Sequence, residues 1–364
     1  MSIVLGMNKM EDKKWFGFTI FCMMSFLILI GGITIFVDPF FHYHKPYEKI
    51  SYIITNERYQ NDGISRNFDY TGVIIGNSNV EDFKASECSE ILGGEAIKLP
   101  YSGAYYKELN EALEKCFERN DSIAYVVRGM DTRNLLLDKN QMAYESYPNY
   151  LYNDNYFDDV YYFWNKEILV NYTLRDIVMT MQGISTTTMD EYANSTYAGW
   201  YVFGKETVLS NYVRTGIKSE SQELTTDEKR QIEENLEQNV LSTIKENPDT
   251  EFYLFFPPFS ICMWDQIDRS ISITKEVETQ RVAIEKLLQY DNVKLFSFFD
   301  NFELITNLDN YRDKVHYSGD ISSNILKWMG TGAYQLTTAN YEEYLESILE
   351  FYSSYNYNAV FEED

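Results

Sequence analysis

Hydrophobic and polar positions divide this chain into one long apolar block and a following region of shorter alternating elements. From Trp15 to Val37 there is no charged residue and most positions are apolar. The run exceeds the about 20 residues that a helix needs to cross a bilayer. Lys9, Lys13 and Lys14 precede it and Asp38-Pro39 ends it. That flank predicts an N-terminus inside the cell and the remainder outside. A cleaved signal peptide is the rival, but the apolar run is longer than a typical h-region and no small-x-small site follows it. The expected layout is a cytoplasmic tail over 1–14, an uncleaved membrane helix over 15–37, and a juxtamembrane linker over 38–68. A globular domain over 69–364 follows, with the lipid bilayer as a partner. The Gly31-Gly32 pair suits packing against another membrane helix.

Within the globular part, strand and helix patterns alternate, which predicts an α/β fold with a mainly parallel sheet and helices on both faces. Short apolar runs mark strands at Gly72–Ile75, Ala96–Leu99, Ile123–Val127, Phe252–Phe256 and Val293–Phe296. Helical periodicity covers Val80–Ile91 and residues 104–118. It returns after Thr225 or Thr226, with Ile232, Leu236, Val240 and Ile244 on one face. Further helices are expected around Val277, Ile284 and Leu288, near 320–329, and over 337–353. Residues 135–215 interrupt this rhythm. They are rich in Tyr, Asn and Asp and read as an insertion after strand three, partly helical over Glu167–Met181.

Charge removes one class of function. The net charge is -25, so nothing would neutralise phosphates and nucleic acid is not an expected partner. Cys22, Cys88, Cys116 and Cys262 are too widely spaced for a disulfide framework or a zinc site. No metal or cofactor is expected. His42 and His44 form a His-x-His pair without a carboxylate or cysteine cluster and suit the membrane interface instead.

Candidate chemistry gathers where the first strand ends. Ligands of open parallel sheets bind beyond the carboxyl ends of the strands. Gly76 permits a sharp turn there, and Ser78 stands just past it. Only three histidines occur, and His316 alone lies in the globular domain, with Asp313 three residues before it. That spacing lets a carboxylate fix the imidazole through Nδ1 and leaves Nε2 for a serine hydroxyl. Ser78 has a second reading as the N-cap of a helix, with Glu81 completing a capping box. His316 likewise has one as an ordinary half-buried histidine. Phe255-Phe256-Pro257-Pro258-Phe259 with Met263-Trp264 are candidates for an aromatic wall. Trp200 and Tyr201, with Tyr147, Tyr150 and Tyr152, are candidates for a glycan cleft.

Taken together, Gly76-Asn77-Ser78-Asn79, Tyr101-Ser102-Gly103 and Asp313-x-x-His316 resemble the blocks of the SGNH/GDSL-type hydrolases and acyltransferases, in particular their membrane-anchored bacterial cell-surface branch. The resemblance covers about residues 70–330. It implies a flavodoxin-like sheet, a Ser78 nucleophile with Asp313 and His316, and an oxyanion-hole N–H from Gly103. It also implies an ester-linked acyl group on a cell-surface glycan or teichoic acid polymer as substrate, or a non-catalytic role beside a membrane acyltransferase. One block departs. The family carries Gly-x-Asn-Asp after strand three, and this chain has Gly129-Met130-Asp131-Thr132. An ionised Asp131 cannot donate to an oxyanion. Either the third donor is absent, or Asn77, Asn79 or Asn134 supplies it, or Asp131 takes a cationic or hydroxylated substrate.

Overall fold

A computed structural model describes residues 2–144, 147–199 and 201–362. The chain divides into two compact units. The larger comprises Thr55–Asn61, Asp69–Tyr147 and Thr188–Asp364; the smaller comprises Met1–Ile54, Asp62–Phe68 and Pro148–Thr187.

The larger unit is built on a six-stranded sheet: β1 (Gly72–Gly76), β2 (Ala96–Pro100), β3 (Tyr125–Gly129), β4 (Glu251–Phe256), β5 (Val293–Ser297) and β6 (Gln335–Leu336). Their spatial order is β2-β1-β3-β4-β5-β6. The first five are parallel and the two-residue β6 pairs antiparallel with β5. The order 2-1-3-4-5 is flavodoxin-like, with its switch point where β1 lies between β2 and β3. Every residue of β1, β2 and β3 is buried, so both faces of the sheet are covered. Helices Ala85–Leu92 and Gly319–Thr331 pack together in one group. A second group holds Tyr106–Arg119, the helical stretch 226–246, Ile273–Leu287 and Tyr341–Ser354.

Local chemistry sets several element ends. Thr225 caps its helix with a Thr225–Glu228 capping box, as its sequence context predicts. β3 begins and ends two residues later than the apolar pattern predicts, because it includes Arg128. A charge there breaks the apolar run, yet the side chain is buried, with its guanidinium 5.7 Å from the Tyr106 ring centre. The helix expected over 80–91 is divided: a single 3-10 turn, Ser78–Val80, precedes helix Ala85–Leu92. The proposed aromatic wall is packed interior. Phe255, Phe256 and Trp264 are fully buried, and Trp264 belongs to a further helix, Ile261–Ser270, stacked on Tyr352 with ring centres 3.6 Å apart.

In the smaller unit, the long apolar helix α1 (Ser2–Val37) contains the one described segment, Lys13–Val37, that is long and apolar enough to cross a membrane. α1 stops at Asp38, whose φ of 48° is left-handed. The Asp38 carboxylate accepts the backbone N–H groups of His42, Tyr43 and His44 and the hydroxyl of Tyr162. Phe40 and Phe41 are buried beside it, and His42 Nε2 lies 3.3 Å from Asp159. The stretch read as a linker is therefore packed structure. It includes most of helix Glu57–Asn67, which its polar composition hid. Part of the insertion, with helix over 166–181 and a π turn at Leu169–Thr173, belongs to the same unit.

Gly76 ends β1 where the chain must turn tightly, and an added Cβ would stand 2.7 Å from Val80 Cγ1. Gly76→Ala is expected to lower stability by about 1–3 kcal/mol, measured as a shifted denaturation midpoint of the larger unit's transition.

Candidate functional site

The site lies at the carboxyl edge of the larger unit's sheet. Gly76 pairs with Pro100, so the loops after β1 and β2 leave the sheet side by side. The turn after β1 is capped by Asn77, whose side-chain oxygen accepts the Asn79 N–H at 3.1 Å and the Asn79 side-chain NH₂ at 2.8 Å. The cap expected at Ser78 is thus one residue earlier, and Ser78 opens the 3-10 turn with its hydroxyl committed elsewhere. Glu81 makes no capping box with Ser78; its carboxylate engages Ser102 and Arg312 instead.

Ser78 Oγ lies 2.7 Å from His316 Nε2, across 238 residues of sequence. His316 Nδ1 lies 2.7 Å from Asp313 Oδ2. Burial opposes ionisation of Asp313, but the His316 hydrogen bond and charge, with the backbone N–H groups of Val315 and His316, outweigh it and bring its pKa down to about 2. An ionised carboxylate only accepts, so Nδ1 carries the proton between them. A neutral imidazole then presents the lone pair of Nε2 to the Ser78 hydroxyl. A small pocket lined by Ser78, Asn79, Asp82, His316, Tyr317 and Ser322 adjoins this pair.

Other residues hold the two loops in register. Arg312, next to Asp313, donates to Glu81 Oε2 at 3.4 Å and lies under the Tyr201 ring at 3.8 Å. The Arg312 N–H donates to the His316 carbonyl, and the Tyr317 hydroxyl donates to the Asn79 carbonyl at 2.7 Å. Lys98, on β2, is buried and donates to the carbonyls of Glu81 and Phe83. Ser102 Oγ contacts both Glu81 and Glu57. One hydroxyl proton cannot serve two ionised carboxylates, so the second contact needs a protonated acid. Burial raises the pKa of both; for Glu57, burial and the Glu81 charge prevail over the Ser102 donors and raise it to about 7. Sequence reading missed Glu57, Arg312, Lys98 and Tyr317. Arg312 and Tyr317 carried a signal, through their places beside Asp313 and His316.

The remaining candidates divide. Gly103 has a φ of 74°, in the left-handed region that favours glycine. Among the described residues, neither the Ser78 N–H nor the Gly103 N–H reaches an acceptor. Asn79 spends its amide NH₂ on Asn77, while no acceptor among the described residues takes the NH₂ of Asn77. Asp131 is closed by Arg133, which donates from Nε at 2.9 Å and from its terminal nitrogen at 2.6 Å to the two carboxylate oxygens. Asn134 is half-buried, and its carbonyl accepts from Asn235. Tyr147 accepts from Arg58 at 2.9 Å. Tyr150 and Tyr152 lie in the smaller unit, and Trp200 is outside the described residues.

Fold and site define a class: a parallel α/β protein with a serine–histidine–aspartate hydrogen-bond chain at the edge where such sheets bind ligands. No family model and no curated protein matches the chain. A solved structure described as "a putative platelet activating factor from Streptococcus pneumonia" is similar over 76% of this chain and 91% of its own. The two share 13% sequence identity at a TM-score of 0.35. At that level of likeness, fold and site rest on the geometry of the chain itself.

A carboxyl whose folded pKa exceeds its unfolded value favours folding below the unfolded value and loses that contribution as pH rises through the folded one. For Glu57 the window runs from 4.5 to about 7. Glu276, buried and also raised to about 7, shares its sign and window. Stability is therefore expected to fall across this window. Glu57→Gln should flatten the slope relative to the wild type, checked by denaturant unfolding at stepped pH.

Proposed function

We propose that this chain is a membrane-anchored serine esterase or O-acyltransferase of the SGNH/GDSL type. In this reading α1 crosses the membrane with its N-terminus inside, and the larger unit works outside on acyl esters of a cell-surface glycan or teichoic acid polymer. One observation carries the catalytic part: the chain Ser78–His316–Asp313, with 2.7 Å at both links.

The chemistry follows from the positions of the protons. As Ser78 Oγ attacks an ester carbonyl, its proton passes to His316 Nε2, and Asp313 holds the resulting imidazolium. Negative charge on the carbonyl oxygen is met by the N–H groups of Ser78 and Gly103. The Asn77 NH₂ is the third donor, in place of the amide that Asp131 lacks. Collapse of the intermediate breaks the ester C–O bond, and His316 returns the proton to the leaving alcohol. Water or a glycan hydroxyl then attacks the acyl-Ser78 by the same path in reverse. Losing one oxyanion donor costs about 3 kcal/mol of barrier, so Asn77→Ala should slow acyl transfer about 100-fold.

A second reading, a non-catalytic partner of a membrane acyltransferase, is favoured by the Asp131–Arg133 pair standing where the family keeps a donor. A fluorophosphonate probe separates the two. Labelling of the folded wild type, lost in both Ser78→Ala and His316→Ala, supports the enzyme; an unlabelled, folded wild type overturns it. Asp313→Asn, which keeps the shape but favours the wrong imidazole tautomer, should reduce the labelling rate by about 10³–10⁴-fold.

A further inference from the structure

The smaller unit has a contact that fixes a depth along α1. Trp164 donates its indole N–H to the Leu27 carbonyl at 3.0 Å. Gly31 makes room for it: a Cβ there would stand 3.2 Å from the indole nitrogen and 3.3 Å from the Phe163 ring. Gly31, read as suited to another membrane helix, thus receives side chains of its own chain. Thr34 and Val37 continue the same covered face of α1, while Ile28, Leu29 and Phe36 remain exposed.

Leu27 lies ten residues before Val37, which is about 15 Å along a helix. Were the membrane surface level with Leu27, the uncharged run left to cross would be residues 15–27, about 20 Å. The hydrocarbon core is about 30 Å thick. A crossing α1 therefore carries Trp164 below the surface of the leaflet that holds its C-terminal half.

The chain on both sides of Trp164 suits that depth. Before it, Tyr156 is 75% exposed, Phe157 91% and Tyr161 65%. After it, Val170, Leu174, Val178 and Met181 form an exposed stripe on one helical face, while Ile168, Thr173 and Asp176 point inward. An apolar surface of this extent marks an interaction site on a soluble protein. It is continuous with the exposed apolar surface of α1 through the Trp164 contact, and that continuity selects lipid as its occupant. Lys166 and Glu167 are the exposed charges on this stretch; the long Lys166 side chain can extend its ammonium toward the interface.

We propose that residues 156–184 form a second membrane-bound element, a wedge seated in one leaflet against α1. This rests on α1 crossing the bilayer, and the test separates the two. The full chain is reconstituted in phosphatidylcholine vesicles with an environment-sensitive fluorophore on a single cysteine. Native Cys22, exposed on α1, reports the crossing; Phe157→Cys and Met181→Cys, each combined with Cys22→Ser, report the wedge. Loss of emission with lipid bearing a chain nitroxide, at all three sites, is the expected result. Quenching at Cys22 by lipid, with positions 157 and 181 quenched by aqueous iodide, overturns the wedge and leaves the crossing intact. Protection of 157 and 181 from both quenchers overturns it in favour of a protein partner or a second copy. A Cys22 label untouched by the lipid nitroxide overturns both.

Discussion

A parallel sheet covered on both faces leaves the chain one edge at which polar chemistry can be exposed, and this constraint organises the larger unit. β1, β2 and β3 are buried at every position. Their loops can carry polar side chains, and at the carboxyl edge loops from different parts of the sequence come together. Ser78 follows β1, Ser102 and Gly103 follow β2, and Asp313 and His316 follow β5 in the chain. The switch between β2 and β3 at β1 opens the crevice where these meet. The site is a product of strand order before it is a product of any motif.

Buried charged residues in and beside the strands include those that keep that edge in shape. Arg128 and Lys98 lie inside strands and are buried. Lys98 holds the carbonyls of Glu81 and Phe83, which follow the Ser78 turn. Arg312 ties the loop carrying the histidine to Glu81 of the loop carrying the serine. A buried ion pair gains little net energy after desolvation, so the value of this one lies in alignment. It fixes which turn of one loop faces which turn of the other.

Much of this was legible in the amino-acid sequence, and the misses share a cause. Short, mainly apolar runs located all five parallel strands, because a doubly covered strand has no regular polar face to confuse the pattern, and the single lysines of β2 and β5 did not hide them. β6 has two residues, too few to carry a period. β3 was displaced by Arg128, since a hydropathy pattern cannot see a guanidinium packed on Tyr106. Ser78, Asp313 and His316 were legible because histidine is scarce here and the spacing Asp-x-x-His is local. Glu57 was hidden: it belongs to a stretch that looked like linker, and only folding brings it to Ser102. The aromatic residues after β4 misled because composition alone does not distinguish a binding wall from a core.

The separation of 238 residues between serine and imidazole has a consequence for biosynthesis. A chain emerging from the ribosome displays Ser78 early, long before His316 has been made. His316, Asp313 and the Arg312 strap arrive together, after β5 has been made. Until then the sheet lacks the strand that precedes them, and any fragment ending before residue 316 holds Ser78 without its imidazole partner. The Ser78–His316–Asp313 hydrogen-bond chain is thus coupled to completion of the fold, since its parts meet only when the whole sheet edge has been made.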